Sequence, residues 1–282
     1  MKKRDSSHHG PVGPRGDLRP GAGGVQISRL AIPPGHQAGS ILRHVWIACW
    51  NLPAPIVQPV LEHPGGNVVV EPEKAALYCV SQGTSEQKLE GKSWAAAVLL
   101  RPAAITLMTG RSLAGATVGG PVLPIGEPLP IPGRGDVAGA VRTAMRSHSE
   151  SDRRAYEAVL SVYLDWATEW EIDDEGELIN RVVDVVEDDD GPRRVAELAD
   201  AVNMSTRALQ RLCVHRTGLS PKWLIQRRRL QDAALALREG RMSVADVAAS
   251  LGYSDQAHLA REFKAVVGRT PSDYVRSAAR RD

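Results

Sequence analysis

Two different spacings of apolar residues divide this chain. Over residues 25–132 the apolar positions come in short runs, 41–50, 68–70, 75–80, 94–100 and 105–108, separated by Gly and Pro. Runs of this length between turn-forming residues predict short strands and a β-barrel or sandwich, although the Ala-rich run 94–100 also suits a helix. Trp46 and Trp50 are four apart and so fall on one face of such a strand. After Pro132 and Gly133 the period lengthens. Tyr156, Val159, Leu160, Tyr163, Ala167 and Trp170 recur every three or four residues and predict a helix with one apolar stripe. The stripe needs a covering surface, which is either the β domain of the same chain or a second copy. A shorter helical pattern over 178–186 leads into Glu187-Asp188-Asp189-Asp190-Gly191-Pro192, an acidic stretch that predicts a linker and a domain boundary after residue 190.

The C-terminal part is internally duplicated. Val195-Ala196-Glu197-Leu198-Ala199 pairs with Val244-Ala245-Asp246-Val247-Ala248, and after one extra residue Leu209, Arg211, Gly218 and Pro221 pair with Leu259, Arg261, Gly268 and Pro271. In each copy an apolar helical pattern ends at Asn203 or Gly252, residues that tolerate left-handed backbone, and Ser205 or Ser254 is placed to cap the next helix. That is the plan of a helix-turn-helix, whose second helix fits the major groove of DNA. At about 100° per residue, Leu209, Leu212 and Cys213 share one side of the first such helix, with Thr206, Arg207, Gln210 and Arg211 opposite. On the second, Leu259, Phe263, Val266 and Val267 face inward and Ser254, His258, Arg261 and Lys264 outward. Arginine suits guanine and the Gln210 amide suits adenine. Pro221 opens a pattern through Leu224, Leu230, Ala234 and Leu237 that predicts one helix joining the units; on it Arg227, Arg228 and Arg229 are candidates either for phosphate contacts or for plain solvation.

Charge supports this division. The net charge of +2 conceals a basic C-terminal part, with 17 Lys+Arg against 9 Asp+Glu from Gly191 onward, behind 190 residues holding 18 against 24. Only the C-terminal part is therefore suited to a polyanion. With 43% hydrophobic and 24% charged residues, and no run near the ~20 apolar residues of a membrane span, the chain reads as a globular protein without a membrane partner. Residues 1–24 hold nine Gly or Pro and predict a disordered tail, and the absence of an apolar signal core predicts a cytoplasmic protein. Cys49, Cys79 and Cys213 are odd in number and far apart, as expected of reduced thiols, and no metal or cofactor motif and no hydrolase arrangement is present. The expectation is a protein that is not an enzyme. The paired indoles of Trp46 and Trp50 either line an effector pocket or form core, with His44 and Asn67 as polar groups able to orient a ligand.

The stretch from Ser243-Val244-Ala245-Asp246-Val247-Ala248 through Gly252-Tyr253-Ser254 to Arg261-Glu262-Phe263-Lys264, followed by Gly268-Arg269-Thr270-Pro271, closely resembles the second-motif signature of the AraC/XylS family of bacterial transcription regulators. The resemblance covers about 90 residues, from Val195 to Tyr274. It implies an α+β protein: a β-rich, barrel-like (cupin-like) sensor domain over 25–135, a helical dimerisation and linker segment over 136–190, and an all-α domain over 191–282 with two helix-turn-helix units on one long helix. It also implies double-stranded DNA, a second copy of the chain, a small-molecule effector and RNA polymerase as partners. By that resemblance Arg207, Gln210, Arg211, His258 and Arg261 stand where the family makes base or phosphate contacts, and Thr206, Ser254, Asp255, Gln256 and Lys264 are further candidates for DNA contact. Cys213 occupies a position usually aromatic in the family. His63-Pro64-Gly65-Gly66-Asn67, Lys88-Leu89-Glu90-Gly91 and Leu99-Leu100-Arg101-Pro102 resemble the sensor domain of an actinobacterial-type branch, with Ala103 where a Gly is usual.

Overall fold

The computed structural model describes residues 24–61, 63–79, 84–110, 128–146, 153–240 and 242–279; the tail expected over 1–24 lies outside them apart from Gly24. Four of the apolar runs of the first part lie in β2 (Leu42–Leu61), β3 (Asn67–Val70), β4 (Ala75–Tyr78) and β5 (Thr84–Leu100); β1 (Val25–Ala31) is a strand outside those runs, and one turn of 3-10 helix lies at Gln37–Ser40. These strands make one antiparallel sheet in the order β1-β2-β5-β3-β4. The 94–100 run is strand, paired to β2 on one side and β3 on the other. The 105–108 run is not. It lies in α1 (Pro102–Thr109), where Pro102 sits in the first turn and Gly110, at φ 63°, ends the helix. Four apolar residues fit either period, and the flanking Pro and Gly decide between them.

Val45, Ile47, Val68, Val70, Ala96 and Val98 point to one face of the sheet and pack against α2 (Val137–Arg146) and α3 (Arg153–Ala167). The apolar stripe of α3 packs here, with Tyr156 and Leu160 left half-buried. Val159 and Tyr163 are fully buried, the Tyr163 hydroxyl donates to the Ala96 carbonyl at 3.0 Å, and Trp166 Nε1 donates to the Pro132 carbonyl at 2.9 Å. The expected dimerisation helix is thus part of the core of its own domain, because its spacing matches the sheet face beneath it.

Helix α4 (Asp174–Glu187), which precedes the expected boundary after residue 190, packs with the helices that follow it. Its Ile179, Val182, Val183 and Val186 share a core with α5 (Val195–Ala201), α6 (Thr206–Thr217) and the first half of α7 (Pro221–Glu239), through Leu198, Leu209, Leu212, Cys213, Leu224 and Ile225. A second core joins Leu230, Ala233 and Leu237 of α7 to α8 (Val244–Ser250), α9 (Gln256–Val267) and α10 (Pro271–Ala279). The connecting helix predicted from Pro221 therefore serves one core with each half. Among the described residues no helix is long and apolar enough to cross a membrane.

Candidate nucleic-acid interface

Both predicted turns adopt left-handed backbone, at Asn203 (φ 56°) and Gly252 (φ 73°). Asparagine tolerates this conformation through its short polar side chain and glycine through its missing Cβ. Ser205 caps α6, its hydroxyl accepting the Ala208 N–H at 3.2 Å. In the second unit the cap is Asp255, not Ser254. The Asp255 carboxylate accepts the His258 N–H at 2.7 Å, and that bond is the main reason its carboxyl is held below the usual range. The extra residue of the second repeat is Ser254 itself, which shifts the capping position on by one. Ser254 Oγ instead lies 3.1 Å from His258 Nδ1.

On α6, Leu209, Leu212 and Cys213 are buried while Thr206, Arg207, Gln210 and Arg211 are exposed. On α9, Leu259, Phe263 and Val267 are buried and Gln256, Arg261 and Lys264 exposed, with Val266 half-buried. His258 is half-buried, held between Ser254 and Glu262, and meets the Tyr253 ring edge-on at 5.3 Å. Each helix thus presents a row of donors on the face away from its core, the arrangement that base edges and phosphates require.

Sequence reasoning missed what holds α6 in place. Arg216 is buried and binds Asp173, Glu175 (3.0 Å) and Thr106 Oγ1 (3.3 Å), tying α6 to α4 and α1. Arg207, Gln210 and Arg211 border a groove of about 690 Å³, with Glu175 and Leu178 of α4 on its other side. No periodicity marks Arg216, because its partners lie about 40 and 110 residues away.

Arg227, Arg228 and Arg229 are neither solvated nor placed to meet phosphates. Arg227 (3% exposed) binds Glu187 at 3.3 Å and Gln231 at 3.2 Å. Arg228 (8% exposed) binds Asp232, Asp189 and the Glu187 carbonyl. Arg229 donates from Nε to the Leu251 carbonyl at 3.1 Å and stacks 3.9 Å above the Tyr253 ring. The acidic stretch is accordingly no free spacer. The Glu187 carboxylate is buried between Arg43 of β2, His63 (Nε2 at 3.0 Å) and Arg227. Burial alone would raise its pKa, but these partners hold it well below the usual range.

The candidate effector residues come together on the sheet face opposite α2 and α3. His44, Trp46 and Trp50 alternate along β2 on one side, and Trp46 Nε1 donates to Asn67 Oδ1 at 3.1 Å. Trp50 is buried with Ala48, Leu52 and Ala95, its Nε1 bonded to the Glu90 carbonyl at 3.2 Å. His44 is buried, and its Nδ1 has no hydrogen-bond partner among the described residues. Burial chiefly, then His63, Arg29 and Arg43, lowers the His44 pKa to about 3.

Residues 198–277 match the family model of a helix-turn-helix domain, and residues 31–117 that of a domain of unknown function, DUF6597. The chain is similar to the HTH-type transcriptional regulator MtrA of Neisseria gonorrhoeae, 34% identical over 99 residues, which is 35% of this chain and 32% of the relative. It is also similar to the HTH-type transcriptional activator RhaS of Escherichia coli O1:K1, 36% identical over 76 residues, 27% of each chain. The matched part therefore spans about a third or less of these curated relatives. Among solved structures, the C-terminal domain of AraT, a response regulator from Geobacillus stearothermophilus, aligns with 36% of this chain and 84% of its own at 22% identity and TM-score 0.33. ToxT from Vibrio cholerae O395 aligns with 89% of this chain and 96% of its own at 12% identity and TM-score 0.41.

Proposed function

We propose that this chain, whose C-terminal domain is an AraC-type helix-turn-helix domain, is a sequence-specific DNA-binding transcription regulator. The observation that carries this reading is the pair of exposed donor rows on α6 and α9, each backed by its own core. Selection of bound duplexes from a random library with the full chain tests it. The expected result is a two-part site with elements about one helical turn, roughly 34 Å, apart. Binding that falls with salt and selects no sequence would overturn the reading, since phosphate contacts alone behave that way.

Within that site Arg211 and Arg261 read bases. Replacing either by Ala is expected to cost about 1–3 kcal/mol on the selected site and much less on unrelated DNA. Equal losses on both would make the residue a phosphate contact.

The face bearing His44, Trp46 and Asn67 supports an effector site in the N-terminal domain. A neutral, buried imidazole nitrogen without a partner is a group that a ligand hydroxyl or amide N–H could satisfy, beside an indole already fixed by Asn67. A ligand screen on the full chain read by thermal shift checks it: a stabilising compound should lose its effect in Trp46→Ala, and a shift that survives the substitution places the ligand elsewhere.

A further inference from the structure

The connecting helix carries three successive arginines, of which the first two turn to the end of α4 and the third turns to the second unit. Arg227 reaches the buried Glu187 at the end of α4, and Arg228 reaches Asp189 (3.1 Å) just beyond it, while its Nε is held by Asp232 one turn along α7. Arg229 reaches the other way, to the turn of the second unit, where its Nε bonds the Leu251 carbonyl and its guanidinium covers the Tyr253 ring. Tyr253 in turn meets His258 in the first turn of α9. The row sits where the first core ends, at Leu224 and Ile225, and the second begins, at Leu230. Packing is therefore thinnest at this point, and directional polar contacts take its place.

We propose that Arg227, Arg228 and Arg229 are positioning residues that fix the angle between the two reading helices, and with it the spacing of the two DNA elements the chain accepts. A planar guanidinium suits the task better than an ammonium, because it can stack on a ring and donate along a fixed direction at once. Arg227 and Arg228 hold the first half of α7 to α4, whose Glu187 also bears on Arg43 and His63 of the N-terminal domain. Arg229 holds the second unit to the same stretch of helix. Release of either end leaves both units folded and able to bind, but no longer held in one relative orientation.

This inference rests on the DNA-reading function proposed above, and the test separates the two. The probe is the duplex selected by the wild-type chain, remade with one base pair added or removed between its elements, which turns one element by about 35° around the axis relative to the other. Wild type should bind the altered spacings about tenfold or more weakly, because both units can no longer engage at once. Arg229→Met and Arg228→Met should reduce that discrimination to about threefold or less, while affinity for a duplex carrying a single element stays as in wild type. Arg229→Lys keeps charge and stem but lacks the Nε–H donor, and should behave as Arg229→Met does; it also carries the test if the Met variant loses helix by circular dichroism. A phosphate contact predicts the opposite, with Lys restoring binding and Met weakening it at every spacing. Unchanged spacing discrimination in all variants overturns the positioning role, whereas a wild-type chain that selects no sequence overturns the DNA-reading function itself.

Discussion

Replacing Phe263 by Ala is expected to melt the second helix-turn-helix unit at a cost of about 3–5 kcal/mol, the range for deleting a buried aromatic from a packed core. Phe263 is fully buried in α9 among Leu259, Val267 and the residues of α7 and α8, and its ring meets Tyr274 of α10 edge-on at 5.5 Å. One side chain therefore closes the contact between the reading helix and the last helix. The unit's core is small, so the cavity has few neighbours able to collapse into it. The first unit draws on a separate core and should stay folded. Hydrogen exchange should show lost protection over 244–276 with protection over 195–217 kept, and specific DNA affinity should fall to that of one unit. Unchanged protection and affinity would falsify the core assignment.

Glu187→Ala is expected to destabilise the protein by a similar amount, about 3–5 kcal/mol, because removing one partner strands buried opposite charge. Arg227 is 3% exposed and would lose the Glu187 carboxylate 3.3 Å away, and Arg43 would lose the same partner while keeping Asp184 at 3.7 Å. A loss no larger than about 1 kcal/mol, the level of an exposed pair, would mean that water reaches the cluster. Acid attacks the same place. Burial lowers the pKa of His63 to about 4 against the pull of Glu187, and that of His44 to about 3. The unfolded chain takes up these protons near pH 6.5 while the folded chain does not, so stability falls as pH drops from about 6.5 towards 4. Glu187 adds a loss in the same direction at lower pH, since its stabilising charge is present above the unfolded carboxyl range and disappears as pH falls through its depressed folded value. Melting temperatures recorded from pH 7 to pH 4 should decline through this window. A flat profile would show both imidazoles to be open to solvent.

The sequence by itself determined the local features whose causes lie within a few residues. The duplication, the left-handed turns at Asn203 and Gly252, the Ser205 cap, the buried Leu209 and Phe263 and the outward Arg211 and Arg261 were all legible, because helical period and turn chemistry act over one or two turns. Even there a single inserted residue, Ser254, moved the second cap to Asp255. The two-residue period likewise put Trp46 and Trp50 on one strand face, though not the bond from Trp46 to Asn67.

Tertiary structure alone decided what each apolar stripe and each charge meets. Periodicity states that the α3 stripe is covered, and only the sheet beneath Tyr163 states by what. Composition makes 187–190 a solvated linker and Arg227–Arg229 a solvated or phosphate-binding run. The burial of Arg227 and Arg228 depends on pairing across about 40 residues, and Glu187 is joined there by Arg43, 144 residues away, a sequence separation at which no local pattern survives. A charge next to others in sequence looks exposed because burying it unpaired is prohibitive. The fold removes that cost by bringing opposite charges from distant segments to the same place, which is why the junction between the two parts of the chain could be seen only in three dimensions.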